Sequence, residues 1–228
     1  MEDSICIGII SYLPDNENIR KERQVRINKL ISQLDEHFNL PIILIAQNYK
    51  DFNINSKNII LYNYDKLGIT GARIKLREKF LESDYNYIIM LDDDMELSDK
   101  QIDYNNYIDS IIKNKKDHYY VGNFLVNFCT MSKQGFTKVT FDENIDPEKQ
   151  TGFEDWVFTE KCKKYLNSMK LITNLPKYDR KHFLKDNYST WNTDDKYKKV
   201  NEQESMKIIK LLKNGTYNKS NINMTGWF

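Results

Sequence analysis

The fold of this chain is decided by one stretch, Tyr87-Ile88-Ile89-Met90-Leu91-Asp92-Asp93-Asp94-Met95-Glu96-Leu97, in which an apolar run passes directly into three carboxylates. A short continuous apolar run is typical of a strand that is buried on both faces of a mostly parallel sheet. Ligand sites in open α/β sheets lie outside the carboxyl ends of the strands. The stretch therefore predicts a buried strand that ends in an acidic site.

The acidic triplet predicts a cation site. Three adjacent aspartate side chains repel one another, and they are favourable together when a cation offsets their charge. Carboxylate oxygens are preferred ligands of Mg²⁺ and Mn²⁺, and Mg²⁺ usually shares its coordination shell with substrate phosphates. Our hypothesis is a metal–diphosphate site at Asp92 to Asp94. The alternative is a solvated acidic loop, and the triplet taken alone favours that alternative.

Composition narrows the class of protein. In 228 residues, 29% are charged but the net charge is only +1, so no global field favours nucleic acid or a membrane surface. Three cysteines without metal-ligand spacing predict reduced thiols in a cytoplasmic protein. Neither a signal peptide nor a transmembrane segment is expected, while peripheral membrane association and the oligomeric state stay open.

Strand and helix patterns alternate in the first half of the chain, which predicts a parallel sheet with right-handed crossovers. The predicted strands are Ile5–Ser11, Leu40–Ala46, Asn58–Tyr62 and the strand of the acidic stretch, and the predicted helices are Ile19–Phe38 and one that ends near Ser83 with Thr70 as its N-cap.

The second half is predicted to carry helices at Ser98–Lys113, Asp155–Leu166 and Met206–Leu212, and strands at Tyr119–Met131, Val139–Phe141 and Leu171–Asn174. No repeat or low-complexity linker divides the chain, so we predict one α/β domain over residues 1–228. Within it we distinguish residues 1–97 from residues 98–228, the second part ending in a helical tail.

Basic residues crowd the start of the first predicted helix, at Arg20, Lys21, Arg23 and Arg26. Cations at a helix N-terminus are disfavoured by the helix dipole. An anionic ligand would offset this cost, although a solvated basic face explains the cluster equally well.

A second acidic pair, Glu154-Asp155, lies at the start of a predicted helix between Phe153 and Trp156. Adjacent carboxylates can divide the work, with one orienting an acceptor hydroxyl and the other accepting its proton. The alternative is a pair of carboxylates stabilised by the helix dipole. A lone histidine is more often a structural or surface residue than a ligand. Among three histidines, His182 is nevertheless the candidate metal ligand, because imidazole beside aspartate oxygens suits Mn²⁺.

Together these motifs resemble the nucleotide-sugar glycosyltransferases of the GT-A fold, in particular the inverting family-2-like and β-1,4-galactosyltransferase-type enzymes. The resemblance covers about residues 5 to 185. It depends on the first strand ending at Ser11-Tyr12, Gly71-Ala72-Arg73 one helix before the triplet, the triplet itself, Gly152-Phe153-Glu154-Asp155 and a trailing His182.

The resemblance implies a single Rossmann-like domain and a Mn²⁺- or Mg²⁺-dependent hexosyltransferase that uses a nucleoside-diphosphate sugar, with UDP as the expected nucleotide. It also implies that residues 1–97 form the sugar-donor half and residues 98–228 the acceptor half. Asp94 and His182 would ligate the metal, and Asp92 would contact ribose or a metal-bound water. Asp155 would be the general base, and Glu154 would orient the acceptor.

The sugar donor would be bound by residues from several segments, namely Ser11, Tyr12, Arg20, Arg23, Arg73, Asp92 and Asp93. The acceptor is open between a glycan, a glycolipid, a protein and a modified nucleobase. Three consecutive aspartates leave the register of the metal motif open by one residue, and Gln47-Asn48 replaces the aspartate expected after the second strand.

Two other functions compete with glycosyl transfer. A nucleotidyltransferase also places carboxylates and Mg²⁺ at a strand end, but it is expected to carry an N-terminal glycine-rich loop, whereas residues 5–16 contain only Gly8. A non-catalytic sugar- or metal-binding module is the third candidate.

Overall fold

The computed structural model describes residues 4–49, 54, 56–121, 124–141, 154–175, 177–178 and 195–217. The strands in these ranges are β1 Ile5–Tyr12, β2 Ile42–Gln47, β3 Ile59–Tyr64, β4 Tyr87–Asp92, β5 Met95–Glu96, β6 His118–Val121, β7 Phe124–Ser132, β8 Ser168–Leu171 and β9 Lys177–Tyr178. The helices are α1 Glu17–His37, α2 Gly68–Glu82, α3 Gln101–Asn114, α4 Lys133–Lys138, α5 Glu154–Tyr165 and α6 Asp195–Asn214.

A seven-stranded sheet in the order β3-β2-β1-β4-β7-β6-β8 forms the centre of the molecule. The first four strands of this order run parallel, β7 is antiparallel to both of its neighbours, and β6 and β8 are parallel to each other. The predicted fold class, an α/β fold with a mostly parallel central sheet flanked by helices, is confirmed.

Helices cover both faces of the sheet, which explains why its central strands are continuously apolar. On one face, Ile7 and Ile9 of β1 belong to the same buried cluster as Leu30 and Leu34 of α1. On the other face, Cys6 and Ile10 share a cluster with the α2 side chains Leu76 and Phe80. Full burial of each large aliphatic side chain contributes about 1.5–3 kcal/mol, so this two-sided burial dominates the stability of the sheet.

Gly8 lies between these layers because a larger residue has no room there. A Cβ atom at this position would lie 2.5 Å from Cδ1 of Ile88 and 3.0 Å from Cδ1 of Leu76. Gly8 is therefore a packing residue within β1, where it lets α2 and β4 approach the strand closely.

The acidic stretch is not one strand up to Leu97. β4 ends at Asp92, residues 93 and 94 form a turn, and β5 begins at Met95. β5 pairs antiparallel with β9, outside the main sheet. The like-charged aspartates explain the break, since they project from a turn instead of continuing the hydrogen-bonded ladder.

Three predictions of local structure were wrong. Thr70 does not cap α2, which begins at Gly68 with a φ of 67°, and Thr70 is buried inside its first turn. The β-forming character predicted for Tyr119–Met131 is confirmed, since the segment provides two antiparallel strands, β6 and β7. Residues 139–141 follow α4 as irregular structure, and their apolar pattern reflects the burial of Val139 and Phe141 and not strand pairing.

The third wrong prediction is the strand at residues 171–174, since β8 occupies Ser168–Leu171, where it pairs with β6. The last helix is also longer than predicted, because α6 begins at Asp195, in a polar segment that lacks an apolar stripe. None of the helices in the described ranges is long and apolar enough to cross a bilayer. Cys6, Cys129 and Cys162 are free and buried.

Candidate active site

The predicted site residues of the first half meet at the carboxyl ends of three neighbouring strands. Ile10 of β1 pairs with Asp92 of β4, and Tyr12 of β1 pairs with Gln47 of β2. This register brings Ser11 to the same edge of the sheet as the acidic triplet. The edge is also where α/β proteins bind their ligands.

Asp92 is held by two side chains. Nη2 of Arg73 lies 3.3 Å from each oxygen of the Asp92 carboxylate, and Nδ2 of Asn127 donates to Oδ2 at 2.5 Å. Arg73 is only 3% exposed, and its guanidinium lies 5.8 Å from the centre of the Phe141 ring. The pair is thus desolvated on the Arg73 side, where loss of either charge leaves the other one poorly compensated.

Asp93 is held from β1. The Ser11 hydroxyl donates to Oδ2 of Asp93, and the Tyr49 hydroxyl donates to Ser11 Oγ at 2.7 Å. Burial, reinforced by the charge of Asp93, raises the pKa of the Tyr49 phenol, so this group remains a proton donor at neutral pH.

Asp94 differs from its neighbours. Its Oδ1 atom is buried and has no hydrogen-bond partner among the described residues. Burial, together with the charges of Asp92 and Asp93, raises the pKa of Asp94 to about 7 against the opposing charge of Arg26. A carboxylate that is desolvated, repelled by two neighbours and left with an unsatisfied oxygen fits a divalent cation. The cation would supply the missing positive charge and would be coordinated by the unsatisfied oxygen.

The described residues do not provide a complete metal cage. No group of three or more His, Cys, Asp or Glu side chains within these ranges is arranged to hold a metal by itself. His182, the predicted third ligand, lies outside the described residues. Mg²⁺ commonly uses one or two carboxylates and completes its shell with waters and substrate phosphates, so Asp94 is a candidate ligand even without a complete protein cage.

Asp155 is electrostatically connected to the triplet. It lies on the first turn of α5, where its Oδ1 accepts a hydrogen bond of 2.9 Å from the backbone N–H of Trp156. Burial raises the pKa of Asp155, the charge of Asp92 adds to this rise, and the Arg73 guanidinium opposes it. Glu154 is the first residue of the same helix, and the placement of its side chain is outside the described part of the structure.

Arg20 and Arg23 stabilise the loop that follows β1 by donating hydrogen bonds to backbone carbonyls. Arg20 donates from Nη2 to the Asn48 carbonyl at 2.6 Å and from Nη1 to the Pro14 carbonyl at 3.3 Å. Nη1 of Arg23 donates to the carbonyl of Tyr12 at 3.2 Å. The predicted basic cluster is therefore explained in part by backbone carbonyls, which offset the charge that the start of α1 disfavours.

Three residues of this site were missed by the sequence prediction of site residues, namely Arg26, Tyr49 and Asn127. Asn127 did carry a sequence signal, because it is the single amide in the aromatic segment of β7. In the structure, the pairing of Leu91 with Phe128 puts Asn127 beside Asp92. Tyr49 carried no such signal, because its contact with Ser11 depends on how the chain turns after β2.

Neither the protein-family models nor the curated proteins include a match to this chain. Solved structures do match. Staphylococcus aureus TarS 1–349 superposes with a TM-score of 0.55 at 11% identity, over 77% of this chain and 59% of that one. The complex of TarS 1–349 with UDP-GlcNAc superposes with a TM-score of 0.53 at 10% identity, over 77% of this chain and 60% of that one.

A Bacillus anthracis protein assigned as a glucose-1-phosphate thymidylyltransferase, in complex with a sucrose, superposes with a TM-score of 0.56 at 12% identity, over 75% of this chain and 87% of that one. The chain spans about three fifths of TarS 1–349. At these identities the comparisons establish the fold alone, which this chain shares with TarS and with the Bacillus anthracis protein.

Proposed function

We propose that this protein is a metal-dependent inverting glycosyltransferase that moves a hexose from a nucleoside-diphosphate sugar, with UDP as the nucleotide, to an acceptor hydroxyl. The observation that carries the proposal is the state of Asp94. It is the one carboxylate of the triplet with a buried oxygen that lacks a partner among the described residues, and it lies at the ligand-binding edge of the sheet.

A divalent cation, Mn²⁺ or Mg²⁺, would be held by Asp94, with His182 and Asp92 as the further candidates. When bound, it supplies positive charge that stabilises the departing nucleoside diphosphate. The Arg73 contact with Asp92 supports this division of roles, because it leaves Asp94 as the carboxylate most in need of a counter-charge.

Asp155 would act as the general base. Its raised pKa strengthens it as a proton acceptor compared with an exposed aspartate. In the proposed reaction the acceptor hydroxyl gives its proton to Asp155 as its oxygen attacks the anomeric carbon. The bond to the diphosphate oxygen breaks in the same displacement, so the configuration inverts. Glu154 would orient the acceptor.

The sugar donor would occupy the edge bordered by Ser11, Tyr12 and the triplet. The contacts of Arg20 and Arg23 with backbone carbonyls support a preformed shape for this edge, because they fix the loop after β1 against β2. Arg73, buried against Asp92, would act on the donor through the position and charge of that carboxylate.

The test is a panel of nucleotide sugars offered to the full chain with and without Mn²⁺, in which nucleotide release and direct binding are both measured. We expect metal-dependent binding of one donor and slow hydrolysis even without an acceptor. Asp94→Ala should abolish donor binding, whereas Asp155→Asn should preserve it and abolish transfer. The absence of metal-dependent binding or turnover of every nucleotide sugar would overturn the proposal.

Nucleotidyl transfer is the second candidate, and the Bacillus anthracis match favours it because that chain is covered to 87%. The segment after β1, Leu13-Pro14-Asp15-Asn16, has no glycine, and Gly8 is fixed in the sheet core. A nucleotidyltransferase would release pyrophosphate from a nucleoside triphosphate and a sugar 1-phosphate. A third outcome, donor binding that Asp155→Asn leaves intact and no turnover in either assay, would identify a binding module.

The acceptor is proposed only as a class, since a glycan, a glycolipid, a protein and a modified nucleobase all offer a suitable hydroxyl. Acceptor screening with the donor identified above distinguishes them.

A further inference from the structure

A hydrogen-bonded chain of side chains links the carboxyl ends of four consecutive strands of the sheet. Asn63 of β3 binds the backbone of Tyr49 at both polar atoms, accepting from its N–H at 3.3 Å and donating to its carbonyl at 3.0 Å. Tyr49, just beyond β2, donates its hydroxyl to Ser11 of β1 at 2.7 Å. Ser11 in turn donates to Asp93, just beyond β4.

The direction of this chain is fixed by its chemistry. An ionised carboxylate only accepts, so the single proton of the Ser11 hydroxyl is committed to Asp93. Ser11 Oγ is then left as an acceptor, and Tyr49 satisfies it. Ser11 and Tyr49 are 4% and 5% exposed, so water has little access to replace either group.

The consequence is that the three carboxylates of the triplet are differentiated. Asp92 is bound by Arg73 and Asn127, and Asp93 is bound by Ser11. Oδ1 of Asp94 has no such partner within the described ranges. The hydrogen bonds of Asp92 and Asp93 thus leave Asp94 as the carboxylate that is offered to a cation.

We propose that Tyr49 is a positioning residue for the metal site, which acts through Ser11 to hold Asp93 on the β1 side of the triplet and so leaves Asp94 as the direct ligand. This inference rests on the proposed function. It assigns the register of the acidic motif. It also gives a role to Tyr49, whose hydroxyl is connected to the triplet through Ser11.

Removal of the Tyr49 hydroxyl leaves Ser11 free to change rotamer and donate elsewhere. Asp93 then loses its fixed orientation and competes with Asp94 for the cation. Groups that orient metal ligands in this way typically change metal affinity by about 10–100-fold when they are removed. We expect a weakening of that size for Mn²⁺ in Tyr49→Phe.

The experiment titrates the full chain with Mn²⁺ in the presence of saturating UDP and follows free Mn²⁺ by electron paramagnetic resonance. The variants are Tyr49→Phe, Ser11→Ala, the double variant and Ser11→Thr, which keeps the hydroxyl. Tyr107→Phe is the matched control, because it also removes a buried tyrosine hydrogen bond, the 2.8 Å contact with Thr130, at a position outside the triplet. Thermal unfolding of each variant is recorded alongside.

Tyr49→Phe and Ser11→Ala should each weaken Mn²⁺ binding by about 10–100-fold, the double variant should be no weaker than the weaker single one, and Ser11→Thr should recover most of the affinity. Tyr107→Phe should bind Mn²⁺ like the unaltered chain even if its Tm falls equally. Normal Mn²⁺ affinity in Tyr49→Phe, or an equal loss in Tyr107→Phe, overturns the inference while the proposed function stands. If the unaltered chain binds neither UDP nor Mn²⁺, the proposed function fails, and the inference fails with it.

Discussion

Arg73 and Asp92 form an ion pair in which one guanidinium nitrogen lies 3.3 Å from both carboxylate oxygens. The pair joins α2 to the end of β4, and its charges also act on Asp155 from α5. The two acidic motifs, 63 positions apart between Asp92 and Asp155, therefore belong to one electrostatic unit. A substitution of Arg73 should therefore change both the free energy of unfolding and the reaction rate.

Arg73→Met should lower the free energy of unfolding by about 3–5 kcal/mol, because it leaves Asp92 partly buried without its cation. Urea unfolding at neutral pH measures this change. The double variant Arg73→Met/Asp92→Asn should recover a substantial part of the loss, since the uncompensated charge is then absent. A double variant as unstable as the single one would show that Arg73 stabilises the fold through packing alone.

The stability of the metal-free protein should fall as the pH rises from about 4 to about 7. The pKa of Asp94 is raised from 3.8 to about 7 in the folded protein, so the folded state binds more protons than the unfolded state in this window. The stabilisation that protonated Asp94 provides is complete below the pKa of this residue in the unfolded chain. It is lost as the pH rises through the pKa of Asp94 in the folded protein. Its upper limit is about 4 kcal/mol for a shift of this size.

Asp94→Asn is the control for that pH dependence, because an amide does not titrate. Its unfolding free energy should lack most of the decrease between pH 4 and pH 7, and added Mn²⁺ should stabilise the unaltered chain at pH 8 but not this variant. Equal pH profiles for the two proteins would assign the dependence to other groups.

Asp155→Asn should reduce kcat by about 10²–10⁴-fold, the usual contribution of a general base, while the dissociation constant of the sugar donor changes little. In the unaltered enzyme, activity should rise with pH through a pKa above the ordinary aspartate value, because burial raises the pKa of this carboxyl. Glu160→Gln on the same helix, where Glu160 pairs with Lys163 at 2.8 Å, serves as the control and should retain full activity. A comparable loss of donor binding in Asp155→Asn would instead place this residue in the donor site.

The parts of the fold that were predictable are those that depend on burial on both faces. Ile42–Gln47 and Tyr87–Asp92 are apolar up to their last residue because helices cover the sheet on each side, and such runs are readable from sequence. Val139 and Phe141 give the same apolar signal, yet they are buried without pairing, so periodicity assigned them wrongly to a strand.

The site was predictable where chemistry is concentrated in adjacent residues, as in the triplet and Glu154-Asp155. It was not predictable where the partner comes from a distant turn. Tyr49 reaches Ser11 only because residues 48 and 49 leave β2 with Asn48 in the left-handed region at φ 59°, a conformation that local sequence does not dictate. The single-domain boundaries and the roles of His182 and Glu154 stay predictions.

Gly8→Ala should lower the free energy of unfolding by about 1–3 kcal/mol, because the added Cβ atom would lie 2.5 Å from Cδ1 of Ile88. Ile88→Val removes that Cδ1 atom, so the double variant should recover much of the stability. The KM for the sugar donor should stay unchanged in each folded variant, since Gly8 packs inside the sheet and does not reach the ligand. A large rise in KM with little change in Tm would show instead that this glycine lines a nucleotide loop, and the balance would then shift toward nucleotidyl transfer.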